Sequence, residues 1–388
     1  MVDISSPSLY FPDSGSSHSI HLNRPDAWIA LSPDGNRYFK DGLDRFDPPE
    51  DPFVAIDRFF DRFDTGFVAG AISYDLTYWN HDVASIDQSD NSTFPLFVLA
   101  HYSQRRSQKL PMEELPQLGS FESTVQKKTY HESVERIREY IRQGYVYQVN
   151  LSQRFTTSVD GPIIGIMHEL DLLPPHSAYL DIGSHEALSL SPERFMAVND
   201  RSIITEPIKG TRPRTTDPLE DAGKVSALAS SQKDNAEHTM IVDLERNDLN
   251  RICETGSVHV PSLSRVESFP TVHHLVSTVS GELRESVTPG KLFRNIFPGG
   301  SITGAPKSTA VRVIHELENR RRGLYTGTIG YWDLDEGLAD WNLAIRTLVR
   351  RGNRAWWDAG GGIVIDSDPK KEYRESLDKT QLIRGISQ

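Results

Sequence analysis

The sequence predicts an α+β chain, and three observations carry that prediction. Segments with strand-like alternation and segments with helical apolar spacing come in runs, without the regular strand, helix, strand alternation of a parallel sheet. Three alternating segments near the C-terminus, 325–332, 338–350 and 354–357, are joined through Asp335-Glu336-Gly337 and Gly352-Asn353 and read as an antiparallel meander. The composition, 37% hydrophobic and 25% charged residues, is that of an ordinary folded soluble chain and excludes disorder, collagen and a disulfide scaffold. At roughly 100 to 200 residues per domain, 388 residues allow two or three domains, or one large body built on more than one sheet.

Residues 1–120 are rich in Pro, Ser and Asp, with short strand-like pieces at 28–31 and 67–74 between turn clusters such as Pro33-Asp34-Gly35. Near residue 125 the pattern changes: Tyr130, Val134, Ile137 and Ile141 recur at helical spacing until Gly144 stops the helix. A strand follows over 145–155, with Tyr147, Val149 and Leu151 on one face and Gln148, Asn150 and Ser152 on the other, a polar face expected to meet solvent. Helices are predicted over 232–250, 306–322 and 369–386. The second has Pro306 in its first turn and Arg320, Arg321 and Arg322 before Gly323, as the macrodipole favours.

The net charge of −12 argues against a sequence-independent grip on phosphate backbones, so no nucleic-acid partner is expected. A single cysteine, Cys253, has no disulfide partner and no spaced zinc ligands, and is expected to be an inert thiol in a reducing cytoplasm. No basic start with an apolar run opens the chain, and no apolar stretch is long enough to span a bilayer, so neither export nor membrane insertion is expected.

Five features could carry chemistry. Asp234 with Glu237, and Glu372 with Glu375, are each spaced i, i+3, which puts both carboxylates on one helix face. Two such faces meeting would offer hard oxygen ligands to Mg²⁺; two solvated faces are the alternative. The segment 297–307 has glycines at Walker spacing, but Ala305 and Pro306 stand where Lys and Ser/Thr should be. It fits an anion-binding loop, with Ser301 and Thr303 as donors, better than a nucleotide phosphate loop. Gly360, Gly361 and Gly362 in a strand region imply a close approach to the backbone, or a bulge. Arg346, flanked by Ile345, would need an anion if buried, either a substrate carboxylate or a structural Asp. Lys209, between an apolar residue and a glycine, is either a desolvated amine with nucleophilic character or a surface lysine.

Taken together these segments resemble the chorismate-utilising enzymes, which include the large subunits of anthranilate and aminodeoxychorismate synthases, isochorismate synthases and salicylate synthases. The likeness runs from about residue 120 to the C-terminus and rests on nine ordered motifs. They are YQVNLSQRF ending at Phe155, SPERF at 191–195, PIKGTRPR at 207–214, EHTMIVDLERNDLNR at 237–251, HHLVSTVSGEL at 273–283, FPGGSITGAPK at 297–307, AIRTL at 344–348, AGGGIV at 359–364 and EYRESLDK at 372–379. The resemblance implies an α+β fold like anthranilate synthase component I, with two β-sheets forming a core, peripheral helices and an active-site cleft. In that reading 121–388 is the catalytic region, and 1–120 is a shortened, loosely similar region packed on it.

Carried over residue by residue, the resemblance implies one Mg²⁺ held directly by Glu237 and Glu375, with Asp234 and Glu372 acting through water. It implies Glu193 as the general acid for the C4 hydroxyl. Gly210, Thr211, His274, Thr303, Tyr325, Arg346, Gly360, Gly361, Gly362 and Lys379 would bind chorismate. Isochorismate and salicylate synthases place a lysine base where this chain has Gln148, and a glutamine cannot deprotonate water. Anthranilate synthases usually have alanine where this chain has Lys209, whereas aminodeoxychorismate synthases have the lysine. The resemblance therefore implies amination of chorismate at C4, with Lys209 as candidate covalent nucleophile and anthranilate synthesis as the alternative. Cys253 lacks the glycine-flanked elbow of a glutaminase nucleophile, so ammonia is expected from a separate glutamine amidotransferase subunit. Conversion to 4-aminobenzoate, the folate precursor, is expected to be another protein's task.

Overall fold

A computed structural model describes residues 6–12, 19–33, 37–40, 51–81, 83, 94–105, 113–269 and 272–386. Two antiparallel sheets organise them. The ten-stranded sheet runs in the order Gly304–Ala305, Gln148–Asp160, Arg354–Ile363, Thr347–Arg351, Glu186–Ser191, His176–Asp181, Ser8–Phe11, Ile20–Leu22, with two short strands also pairing with Gln148–Asp160. The eleven-stranded sheet runs Ile208–Pro213, Val272–Glu282, Ser202–Glu206, Arg194–Asn199, Leu338–Asn342, Thr328–Asp333, Phe67–Ile72, Phe97–Tyr102, Ala27–Leu31, Arg37–Lys40, with His259–Ser268 beside Val272–Glu282. The first hundred residues therefore contribute strands to both sheets.

One apolar cluster joins the sheets: Leu9, Leu180, Ala187, Val349 and Trp356 from the first meet Trp28, Ala30, Phe67, Val98 and Ile329 from the second. Helices cover other faces. Helix Lys127–Arg142 buries Tyr130, Val134 and Ile137, as the 3.6-residue spacing predicts. Helix Gln232–Asn250 starts where Ser231 accepts a hydrogen bond from the Asp234 amide, a side-chain cap for one of the orphan donors of its first turn.

The structure corrects four sequence expectations. The predicted strand 338–350 is two strands, Leu338–Asn342 in the eleven-stranded sheet and Thr347–Arg351 in the ten-stranded one. The C-terminal meander is thus split between sheets. The polar face of Gln148–Asp160 is not solvated: Gln148 and Gln153 are fully buried, and Asn150 and Ser152 nearly so. The predicted helix 306–322 is Lys307–Glu318, ended by Asn319 in the left-handed region at φ 44°. Its arginines follow the helix instead of completing it: Arg322 pairs with Glu318, and Arg320 with Glu318 and Asp358, because buried guanidinium groups need carboxylates more than a helix end needs cations. The predicted helix 369–386 is Pro369–Asp378 and Gln381–Ile386, separated by Lys379 and Thr380. The turn expected at Asp34-Gly35 lies outside the described residues. Among the described residues no helix is long and apolar enough to cross a membrane.

Candidate active site

The site is built where the chain passes from one sheet to the other. Strand Glu186–Ser191 belongs to the ten-stranded sheet and Arg194–Asn199 to the eleven-stranded one, so Glu193 sits on the crossing between them. Arg346 sits on a second crossing, between Leu338–Asn342 and Thr347–Arg351, in the left-handed region at φ 50°. The two crossings are hydrogen-bonded to each other: the Leu343 amide donates to the Glu193 carbonyl at 2.9 Å and the Leu190 amide to the Arg346 carbonyl at 3.0 Å. The Ser191 hydroxyl donates to the Leu343 carbonyl at 2.6 Å.

Glu193 is 6% exposed, and its Oε1 accepts from the Ser301 hydroxyl at 2.8 Å and the Ile208 amide at 3.3 Å. Burial pushes its carboxyl above the usual range, against the pull of the Ser301 bond and of Lys209, which suits a group that must carry a proton. Ser301, expected to face a ligand carboxylate, is thus spent on the protein's own. Thr303 is similarly committed, its hydroxyl donating to the Gly299 carbonyl at 2.9 Å.

Lys209 lies on Ile208–Pro213, one residue before Gly210, whose φ of 63° marks a register shift against Val272–Glu282. A Cβ at Gly210 would lie 2.9 Å from Leu228 and 3.3 Å from Asp234, so the bulge presses close against the neighbouring helices. The Lys209 amine donates to the Ser301 carbonyl at 3.1 Å. Burial lowers its pKa, with Glu193, Glu237 and Glu375 pulling the other way and Lys379 adding to the depression. Across the register shift Thr211 pairs with His274, its hydroxyl 2.9 Å from Nδ1. Burial brings the imidazole down to about 4, so it is neutral at pH 7, and its buried Nε2 has no partner among the described residues.

The strand Arg354–Ile363 pairs with Gln148–Asp160 without interruption through Gly360, Gly361 and Gly362. They form no bulge. A Cβ at Gly361 would stand 3.3 Å from Glu375 Oε1 and 3.5 Å from Glu372 Oε2; one at Gly362 would meet the Gln148 amide at 2.8 Å. The glycines therefore keep the strand face open beside the acidic helix Pro369–Asp378. At the end of that helix Lys379 donates to the Gly360 carbonyl at 2.7 Å and pairs with Glu375 at 2.8 Å. Tyr325 is buried, which pushes its phenol up, and its ring lies 5.7 Å from the Arg322 guanidinium.

The four predicted metal acids are held by cations and one hydroxyl: Asp234 by Arg212 at 2.7 Å, Glu237 by Lys233 at 3.7 Å, Glu375 by Lys379, and Glu372 by Ser367 at 2.7 Å. Among the described residues no three potential ligands converge to metal-binding distance. The donor set still fits a hard divalent cation. All four are carboxylates, Glu237 Oε1 is buried without a hydrogen bond, and Glu237 and Glu375 lie near enough for each charge to act on the other.

Two residues were not assigned to binding from sequence. Both amide atoms of Gln148 are buried with no partner, as is Asn150 Oδ1. Buried amides are normally satisfied, so these point to a polar ligand. The alternation of 148–152 was the available signal, since it puts Gln148 and Asn150 on one face of the strand. Arg346 forms no ion pair among the described residues; burial lowers its pKa and Glu193 opposes this. Of the two anions expected for it, the structural Asp is absent. A cavity of about 400 Å³, lined by Phe11, Ile20, His176, Arg194 and Tyr331 among others, holds none of the predicted site residues.

The sequence profile described as chorismate binding enzyme matches residues 40–385, well upstream of residue 120. The chain is 42% identical over 316 residues to aminodeoxychorismate synthase component 1 of Escherichia coli, covering 80% of this chain and 70% of that protein. The Klebsiella aerogenes protein of the same name is 45% identical over 68% of this chain, which spans only 59% of the relative. Anthranilate synthase component 1 3 of Haloarcula marismortui is 41% identical over 68% of this chain and 53% of its own. In structure the chain is similar to anthranilate synthase component I from Streptococcus pneumoniae, with TM-score 0.79 and 28% identity over 97% of this chain and 93% of that one.

Proposed function

Because the chain belongs to the chorismate-binding enzyme family, we propose that it converts chorismate and ammonia to 4-amino-4-deoxychorismate, as its aminodeoxychorismate synthase relatives are named for doing. The observation that carries the choice among family reactions is the Lys209 amine, partly buried and tied by a hydrogen bond to the loop that also holds Glu193.

In this reading Arg346, the unpartnered Gln148 and Asn150 amides, His274 Nε2 and the open strand at Gly360 to Gly362 bind and orient chorismate. Glu193 gives its proton to the C4 hydroxyl, which leaves as water. The Lys209 amine forms a bond to C2 as that C–O bond breaks, and the ring double bonds shift between the two carbons. Ammonia then bonds to C4, the C2–N bond to Lys209 breaks, and the enolpyruvyl ether is kept. Glu237 and Glu375 would hold Mg²⁺ directly, and Asp234 and Glu372 through water. When bound, Mg²⁺ would supply Lewis acidity toward the substrate carboxylate and the departing hydroxyl. Ammonia comes from a separate glutamine amidotransferase in the cytoplasm.

The reading is tested by incubating the chain with chorismate, Mg²⁺ and an ammonium salt at mildly alkaline pH. The expected product retains its pyruvyl carbons and yields 4-aminobenzoate only after a lyase is added. Anthranilate with free pyruvate would assign the chain to the anthranilate synthase reaction.

A further inference from the structure

One buried carboxyl group takes no part in the reaction described above. Glu245, on the helix Gln232–Asn250 and eight residues past Glu237, is 5% exposed, and its Oε1 accepts from the Gly300 amide at 2.9 Å. One residue further along the same loop, the Ser301 hydroxyl donates to Glu193 Oε1. Consecutive loop residues thus hold two buried carboxyls, one from the helix and one from the crossing. Both line a single void of about 10 Å³, together with Thr205, Pro207 and Leu343. That is the lower bound for one water molecule.

Neither carboxyl has a cation of its own. The groups facing Glu245 are Asp248 from the same helix, Lys307 from Lys307–Glu318, and Glu193. Lys307 is already engaged by Asp248 and by the Ile296 and Pro298 carbonyls. Glu193 faces Lys209 and Arg346, which the reaction reserves for the substrate. Two neighbouring carboxyls in a low-dielectric site resist ionising together, and their protons leave in steps that belong to the pair. Burial, then Asp248, push Glu245 up to about 7, and Glu193 adds to the effect.

We propose that Glu193 and Glu245 form a proton-sharing pair in which Glu245 is a positioning residue. It keeps Glu193 in its acid form at the mildly alkaline pH where Lys209 and ammonia are nucleophiles. The inference rests on Glu193 being the general acid. When Glu193 gives its proton to the departing hydroxyl, the proton released as ammonia bonds to C4 returns to the pair and restores it.

The test is the pH dependence of kcat with free NH₃ held constant, for the unaltered chain, Glu245→Gln and Glu193→Gln. The glutamine keeps an acceptor for the Gly300 amide but carries no charge. Its profile should lose rate on the alkaline side about one pH unit earlier, with KM for chorismate within twofold. An alkaline limb that does not move, or a raised KM with an unmoved limb, overturns the pair and leaves Glu245 a loop anchor. Full activity in Glu193→Gln would instead overturn the acid assignment. Infrared spectra of the unaltered chain with ¹³C-labelled glutamate need no variant: a protonated carboxyl band persisting at pH 8 is expected, and its absence overturns the pair.

Discussion

Lys209 and Glu193 share the 301 position, one bound to its carbonyl and the other to its hydroxyl, yet their substitutions should differ. Lys209→Ala should lose amination at C4 or divert product toward anthranilate, read by mass spectrometry; an unchanged product spectrum and rate would sink the nucleophile. Glu193→Gln should lower kcat by about 10²- to 10⁴-fold, the usual worth of a positioned acid, with a small change in KM. Glu245 adds a stability signature. Its carboxyl stands at about 7 in the folded chain against an ordinary 4.5, so its contribution is complete below pH 4.5 and is lost as pH rises through 7. At about 1.4 kcal/mol per pH unit the loss is on the order of 3 kcal/mol. Urea titrations at pH 5 and pH 8 should show the Glu245→Gln variant losing less stability over that interval than the unaltered chain. The lysine and both acidic pairs were legible as residue types at suggestive spacings. Glu245 was not, because a glutamate in a charged helix reads as solvated until tertiary packing buries it.

Among the elements, the glycine strand separates structural from functional need. A Cβ at Gly360 would stand 2.1 Å from the Leu151 carbonyl, whereas one at Gly361 meets only the ends of Glu375, Glu372 and Lys379 at 3.3 Å or more. Gly360→Ala should therefore cost about 1–3 kcal/mol of stability, as overpacking does. Gly361→Ala should keep a near-normal Tm while weakening the dependence of activity on Mg²⁺. Thermal melts and Mg²⁺ titrations distinguish the two, and equal effects on Tm would remove the distinction. Helix Gln232–Asn250 was legible to the residue, since its boundaries depend on local capping and spacing. Lys307–Glu318 was misjudged at its end, where Asn319 and a buried ion-pair network decide the outcome. The same limit hid the buried polar face of Gln148–Asp160: alternation reveals which side chains share a face, but not what covers it.

Across the whole molecule, the α+β class was legible but the partition of strands between sheets was not. The crossing at Arg346 falls inside 338–350, which reads as a single alternating segment, and only long-range pairing splits it. The N-terminal strands complete this architecture: Ser8–Phe11 pairs with His176–Asp181, and Ala27–Leu31 with Phe97–Tyr102. Removing residues 1–40 should bare both ladders and produce aggregates on size-exclusion chromatography; a soluble, monodisperse product would show that the edges protect themselves.

The tie between the two crossings has a kinetic corollary. Glu193 and Arg346 acquire their relative places only when segments far apart in sequence have paired across both sheets. Such pairing is the slow part of folding, because long loops must close before any contact rewards them. Turnover should therefore return after the far-ultraviolet signal during refolding, and the recovery of catalysis becomes a clock for the last long-range step.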